Sequence, residues 1–586
     1  MKKKIIIISM LLMIFVTLVS CSKSNKHKTY DKDTQIISLH GYSGDDTTVT
    51  DIKKITYDGT LKLKFIEDED YIPYIDPLSY IALLPSYLSS KCTYIDDEKE
   101  VDFIFETTKG KASIRIFPKE ELVVFEDKAL YVIANNGDDS NYYRCVHEDT
   151  YNKTKMVNHT INYKEYGFKT FRENDKTYFP LSFLNVIVSY NHDSTAFYNY
   201  DKLYVYSNPK ALSKFKYSNS GKTTTALDEM SAKVSDVMPE YLRKFNKNYL
   251  YFIFDNFYGL REKKGISKMS TYFESLDYSK KLLDEKGEER ANALELMLAS
   301  LYDGHTAIID SSKPWNEEHT KTIVQSLRND RYTLETALKE QREKVYNSLG
   351  IKEDGVRYSN DGKTAVVTLD AFSTDDYVYK EDKTPKSDEE LAKSDQFFKL
   401  LNNFKEIDKK TGVSNIIIDM SVNSGGDSGT MTRIINLISS TNKANIDFYD
   451  FNTNVLHTFS TKIDSNNDGK YDDKDVYGNK YKFFILVSPV AFSCGTALPF
   501  IVSQQNIGTI IGQNPGGGEC SLAQCVLPNG QHIVYSSSIH VCSIENGNFI
   551  GDEDGVETDI SFNYFDFYDL EKMNTKIQDY IKIYSA

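Results

Sequence analysis

From Lys363 onward the chain alternates short apolar runs with amphipathic stretches. The runs at 364–369, 415–419, 483–487 and 508–511 are compact and largely apolar. That is the pattern of strands buried on both faces. Between them, 430–439 and 495–504 read as helices. The alternation predicts an α/β domain over 351–586, a mixed sheet with crossover helices whose strand ends are available for chemistry. Upstream, 226–350 reads as helical. Leu294, Leu296, Met297, Leu298 and Leu301 lie in an apolar stretch that stops at Asp303-Gly304-His305-Thr306. The charged, weakly apolar segment 317–349 predicts one long, largely solvated helix.

The first 210 residues have a different texture. Phe65-Ile66-Glu67-Asp68-Glu69-Asp70-Tyr71-Ile72-Pro73 recurs as Phe171-Arg172-Glu173-Asn174-Asp175-Lys176-Thr177-Tyr178-Phe179-Pro180. Each copy leads into an apolar helical stretch and then an aromatic-rich strand, 101–107 and 202–206. An acidic turn, a Tyr-x-Pro or Tyr-Phe-Pro edge, a helix and a hairpin make one small α+β unit, so 36–208 is expected to be a two-repeat α+β module. The pattern resembles the copper amine oxidase N-terminal-like domain, though no copper ligand set is present. The polar stretch Ser218-Asn219-Ser220-Gly221-Lys222-Thr223-Thr224-Thr225 marks a linker, 209–225.

The N-terminus reads as an address. Lys2, Lys3 and Lys4 precede an apolar run from Ile5 to Ser20, too short for the roughly 20 residues a spanning helix needs. Residues 1–20 are therefore expected to be a signal peptide. Leu18-Val19-Ser20-Cys21 resembles a bacterial lipobox, which implies lipidation at Cys21 and a polar tether over 21–35. The expected location is the cell membrane, lipid-anchored on its extracytoplasmic side. The formal charge, 70 − 85 = −15, disfavours nucleic acid as a partner. Seven Cys without paired C-x-x-C spacing argue against a zinc site and do not fix any disulfide pairing.

Three segments carry candidate chemistry. Asn415 to Gly426 is a buried strand opening into Gly425-Gly426, a turn that lets backbone amides face a ligand. Phe483 to Leu498 is a strand, a turn and a helix, with Ser493 at the helix start. A serine there is either an N-cap or a nucleophile. His305 closes the apolar helical stretch in an exposed-type turn.

Taken in chain order, the His305 turn, then the Gly-Gly segment, then the Ser493 segment, they resemble the tail-specific, or C-terminal processing, serine peptidases, and most closely the branch containing the tricorn core protease and retinoid-binding protein relatives. Asp552-Glu553-Asp554-Gly555-Val556-Glu557-Thr558-Asp559-Ile560 resembles that family's closing motif, with Thr558 in place of Pro. The resemblance implies a crotonase-like fold over about 230–570 and acyl transfer on a polypeptide substrate. It implies Ser493 as nucleophile, His305 as base, and an oxyanion site from the Cys494 amide and one Gly-Gly amide, Gly425. Cys494 as nucleophile is the less favoured assignment. The Ser–Lys variant of the family is disfavoured, because no Lys follows Ser493 before Lys572. Tricorn-like relatives orient the histidine through a neighbouring serine, and here that place is Gly304. Asp552, Glu553 or Asp303 are the candidate orienting carboxylates. The short interval between His305 and the 364–369 strand leaves little room for a PDZ domain.

Asp464 to Asp475 fits a twelve-residue calcium loop. Asp464, Asn466, Asp468, Asp472 and Asp475 would offer side-chain oxygens, Lys470 its carbonyl, and Gly469 the sharp turn. A structural calcium ion and no organic cofactor are expected. The functional expectation is a lipid-anchored serine endopeptidase; the alternative is an inactive relative that binds peptides or cell-wall material.

Overall fold

The computed structural model describes residues 27–39, 57–107, 110–127, 143–152, 156–189, 194–206, 216–219, 222–225, 230, 238–308, 317–352, 355–374, 378–380, 384–546 and 548–584. The signal segment 1–20 and Cys21 lie outside these residues. The expected tether, 21–35, runs into a strand, Thr29–Leu39. Thr34 and Ile37 on that strand are buried, which a solvated tether would not allow.

The two related N-terminal stretches meet in one sheet. Lys176–Pro180 pairs antiparallel with Tyr74–Ile75, placing Phe179 opposite Ile75 and Pro180 opposite Tyr74. Each copy then enters a helix, Pro77–Ile81 or Leu181–Val188. Beyond the helices the copies diverge. Leu203–Tyr206 joins the first sheet, parallel to Thr29–Leu39. Val101–Thr107 enters a separate five-stranded antiparallel sheet. The expected linker contains a short hairpin, Lys216–Asn219 with Lys222–Thr225.

The module shares its core with the helices that follow. Phe252 of the Glu240–Phe257 helix packs against Tyr166, Phe168 and Phe183. The same buried cluster continues into Cys525, Ile533 and Tyr535 near the C-terminus. A second tie is a strand. Cys145–Asn152 pairs along its whole length with Val455–Ile463. It thereby becomes the outer strand of the sheet that also holds His532–Glu545 and Ala444–Asp450.

The 351–586 region is a three-layer arrangement. Its sheet runs Arg357–Tyr358, Thr364–Thr368, Asn415–Asp419, Lys482–Val487, Thr509–Gly512, Ile560–Ser561. The last five strands are parallel. Successive residues point to opposite faces. Ala365, Val367, Ile416, Ile418, Phe483 and Ile485 meet the helices Gln396–Ile407, Ser428–Ile438 and Cys494–Gln504. Val366, Ile417, Phe484 and Leu486 face Leu338 of Glu317–Leu349 and Met573 and Ile577 of Leu570–Tyr584. Covering both faces with helices explains why these strands read as unbroken apolar runs. The long helix spans the interval where a PDZ domain was judged not to fit. Among the described residues, no helix is long and apolar enough to cross a membrane.

Candidate active site

The parallel strands present their C-terminal ends on one edge, where open α/β sheets place their chemistry. From Asp419 the chain turns through Asn423, Gly425 and Gly426. Asp427 then caps Ser428–Ile438 by accepting the Thr430 amide at 2.6 Å. From Val487 it turns through Ser488 to Ser493 and enters Cys494–Gln504. The two turns are tied together. Ser488 Oγ donates to Ser421 O at 2.5 Å. The Phe492 amide donates to Asn423 O at 3.1 Å.

Ser493 has φ 57° and ψ −128°, and its side chain makes no capping hydrogen bond. A non-glycine residue in such a conformation costs on the order of 1–3 kcal/mol and persists only where the surroundings over-determine it. They do so here. The Ser493 amide donates to Gly517 O at 2.9 Å, and its carbonyl accepts from Thr496 and Ala497. A Cβ on Gly518 would lie 2.8 Å from the Ser493 nitrogen, and one on Gly517 would lie 2.0 Å from Glu553 O. The Gly516-Gly517-Gly518 run therefore serves as close backing for the serine turn.

Gly425 has φ 104°, and a Cβ there would lie 2.8 Å from Ser493 Cβ and 3.2 Å from the Cys494 nitrogen. Gly425 and Cys494 are thus both brought against Ser493. The Gly425 amide itself donates to Asn423 Oδ1 at 2.8 Å. Asn423 is fully buried, and its Nδ2 donates to Leu369 O at 2.9 Å. The Cys494 thiol donates to Gly426 O at 3.3 Å. Burial pushes it up to about 12, so it is not a thiolate at neutral pH.

His305 is buried in a turn leading into Ala307–Ile308, which pairs with Val534 and Ile533 of the long C-terminal strand. Asp303 shapes the turn. Its Oδ1 accepts the His305 backbone amide at 2.9 Å, and its Oδ2 accepts the Thr306 hydroxyl at 2.6 Å. The imidazole stands edge-to-face with Phe492, centroids 4.8 Å apart, so it adjoins the residue before Ser493. Burial holds the imidazole below its ordinary pKa; Asp303 opposes this and Arg331 reinforces it. Among the described residues, Nδ1 has no hydrogen-bond partner.

The candidate orienting carboxylates stand elsewhere. Glu553 Oε2 accepts the amides of Gly518 and Glu519, each at 3.0 Å. Asp552 is fully buried with both oxygens unpartnered among the described residues. Burial, with Glu519 and Glu553 nearby, drives its pKa well up. Neither hydrogen-bonds the imidazole among the described residues. Beside them, His540 Nδ1 and Glu519 Oε1 are 2.7 Å apart.

The acidic loop closes on its own backbone. Asp464 accepts the amides of Asp468 and Gly469, Asn466 that of Asp468, and Asp468 that of Lys470. Asp472 accepts from Lys474, and Asp475 from Ser465, Asn466 and Asp472. Gly469 has φ 78°, as the sharp turn requires. Among the described residues, no three His, Cys, Asp or Glu side chains are gathered so as to hold a metal ion. The donor types suit calcium, and their oxygens here accept backbone amides of the same loop. The six cysteines from Cys92 to Cys542 are all free.

Sequence reasoning did not give a role to Asn423, Phe492 or Arg331. Asn423 and Phe492 lay inside the quoted segments, where their types carry no chemical flag. Arg331 lies on a helix that reads as solvated.

The strand ends thus group a strained serine, backed by glycines, with a buried histidine that adjoins the residue before it. Residues 363–562, about a third of the chain, match the model of peptidase family S41. His305 lies outside the matched segment. No curated protein sequence matches the chain. Among solved structures, a lipoprotein from Streptococcus agalactiae is 14% identical over 59% of this chain and 99% of its own, with TM-score 0.35. A candidate peptidase from Parabacteroides merdae is 17% identical over 55% and 89%, with TM-score 0.37. A photosystem II D1 C-terminal processing protease is 14% identical over 34% of this chain, with TM-score 0.25. The chain spans only 42% of that protease. Superpositions this partial carry no argument about function.

Proposed function

We propose that the protein is a serine endopeptidase that cleaves polypeptides through an acyl-enzyme and is lipid-anchored on the extracytoplasmic side of the membrane. The observation that carries the reading is Ser493, strained and uncapped, inside the segment that matches the S41 family. Ser493 Oγ attacks the scissile carbonyl carbon. As the C–O bond forms, the hydroxyl proton passes to His305. The C–N bond then breaks, and His305 returns the proton to the leaving amine. Water, deprotonated by His305, then adds to the ester carbonyl; the acyl C–Oγ bond breaks, His305 returns the proton to Ser493 Oγ, and the new carboxyl product leaves. The lowered pKa of His305 supplies a neutral base at pH 7, and Asp303 offsets the cost of its protonation. The Cys494 amide and one amide of the Gly-Gly turn receive the oxyanion. Gly425 serves only if its amide leaves Asn423 Oδ1, whereas the Cys494 amide needs no such change.

The sheet order supports a crotonase-like reading of 351–586, and the paired N-terminal copies support the resemblance to the copper amine oxidase N-terminal-like domain. Calcium at the acidic loop would be structural and would require its carboxylates to exchange amides for the ion. The unpartnered imidazole Nδ1 favours the second reading, an inactive relative that binds peptides or cell-wall material. Fluorophosphonate labelling followed by mass spectrometry decides between them. Modification at Ser493 supports the enzyme; an unlabelled, folded protein supports the binder. A Cys21→Ser variant tests the anchor and is expected to lose membrane association.

A further inference from the structure

Gly304 stands where the resemblance places a relay serine, and the structure shows what fills the space. A Cβ on Gly304 would lie 2.5 Å from Phe492 Cζ, and one on Gly518 would lie 2.8 Å from the same atom. The ring is therefore wedged between two glycines, edge-to-face with the imidazole. A side chain at 304 and the ring in this place exclude one another. The ring is held from a third direction. Arg331, half-buried on Glu317–Leu349, places its guanidinium 4.5 Å from the Phe492 centroid. Its Nη2 donates to Val490 O at 2.7 Å. One cation thus grips both the ring and the backbone two residues before it.

We propose that Arg331 is a positioning residue that acts through Phe492 on His305, in place of a hydroxyl relay. The inference rests on the peptidase reading for its kinetic consequences. Its geometric content stands without it. An aromatic face attracts a guanidinium, so the cation limits the ring's freedom, and the ring limits that of the imidazole. The same charge also opposes formation of imidazolium. The charged and titratable groups that face His305 are Asp303 from its own turn and Arg331 from the long helix. Behind Asp303 stand Tyr258, at the end of Glu240–Phe257, with Cys520 and Glu553.

Three variants of the full chain test this. Arg331→Gln removes charge and most of the grip. It is expected to lower kcat by roughly 2- to 30-fold, the span of a cation–π contact. KM should stay within about twofold, since peptide binding uses other groups. The acid limb of the pH–rate profile should move to higher pH, because a repulsive charge has left the imidazole. Arg331→Lys keeps the charge and should restore the limb. In a Phe492→Leu background, Arg331→Gln should lose most of its effect, since coupling through the ring is gone. Independently of activity, NMR titration of His305 in the Ser493→Ala protein should give a higher pKa when Arg331→Gln is added. An unmoved His305 titration, or Arg331 and Phe492 effects that simply add, would overturn the proposal. A wild type with no Ser493-dependent hydrolysis would break the peptidase reading, and the NMR comparison would still decide this one.

Discussion

Ser493 stands in a turn fixed by the backbone. Its amide, its carbonyl and its neighbours' missing side chains all constrain it, through Gly517, Thr496, Gly425 and Gly518. His305 stands in a turn whose backbone is fixed by Asp303, while the imidazole is bounded by a ring and carries no hydrogen bond on Nδ1 among the described residues. The proposed nucleophile is held by hydrogen bonds and close approach, the proposed base by shape. Backbone constraint is stiff and all-or-none; packing constraint is graded. The serine side should therefore fail abruptly when altered, and the histidine side by degrees.

The largest effect expected is at the reacting groups. Ser493→Ala should reduce hydrolysis of an unstructured substrate such as casein by at least about 10⁴-fold, to background. The fold should be kept, because alanine removes only a hydroxyl that makes no cap. His305→Ala should lose a comparable amount. Full activity in Ser493→Ala would end the assignment. Next comes Asn423→Ala, which removes the acceptor of the Gly425 amide and the donor to Leu369 O. The Gly425 amide is freed, but the Gly-Gly turn that aims it loses its brace, and a misaimed oxyanion donor costs up to roughly 10²–10³ in rate. A buried carbonyl left unpaired costs roughly 1–3 kcal/mol of stability. Kinetics and a thermal melt on one preparation separate the two. A melt that drops without any change in kcat would show that Asn423 only braces the fold.

The two sides also differ in how legible they were. The parallel strands follow from local pattern, because each buries its residues uniformly along its length, whereas Glu317–Leu349, which reads as solvated, buries Leu338, Arg342 and Tyr346 on one face. The strand-to-helix junction that carries Ser493 was legible for the same reason, whereas local pattern left the serine as cap or nucleophile and only the family resemblance chose between them. The second sheet was not. Its strands Ala444–Asp450 and Val455–Ile463 are half-buried. Cys145–Asn152, which pairs with Val455–Ile463, comes from some 300 residues away, inside the N-terminal module. No local period encodes such a pairing. The orienting group of His305 was illegible for a similar cause. A phenylalanine and an arginine gain their meaning only where Gly304 and Gly518 leave room for the ring. The acidic loop shows the converse, since a strong local motif closes on its own amides.

A smaller effect is expected from pH. Burial holds His305 below its ordinary pKa of about 6.5, so hydrolysis should be full at neutral pH and fall only as the pH drops below that value. The sign for stability is the same. Between the unfolded and the folded pKa, the unfolded chain takes up a proton that the native imidazole does not, so stability falls with falling pH. A pH–rate profile on the wild type, carried far enough into acid to titrate a depressed imidazole, checks the limb, and a rate that never falls towards acid pH would exclude a histidine base. Calcium should act on stability alone. At a hundredfold excess over Kd, an ion binding only the native state adds about 2.7 kcal/mol. The melting temperature should fall with chelator and recover with calcium rather than magnesium. An unchanged melt would leave 464–475 as an amide-closed turn without an ion.

Asp552 gives the smallest and sharpest test. If a carboxylate oriented His305, Asp552→Asn would slow hydrolysis markedly. Asp552 is instead fully buried, unpartnered on both oxygens among the described residues, and flanked by Glu519 and Glu553. Its pKa is raised well above the ordinary value, so the native state retains a proton that the unfolded chain releases above about pH 4. The stability associated with that proton is complete below the unfolded pKa and declines as the pH rises towards the folded one. Asparagine is nearly isosteric and never ionises. Asp552→Asn should therefore leave kcat within about twofold and raise the melting temperature, by more at pH 8 than at pH 5. A drop in kcat with an unchanged melt would place Asp552 behind the imidazole after all. The histidine side would then be held by charge as well as by shape.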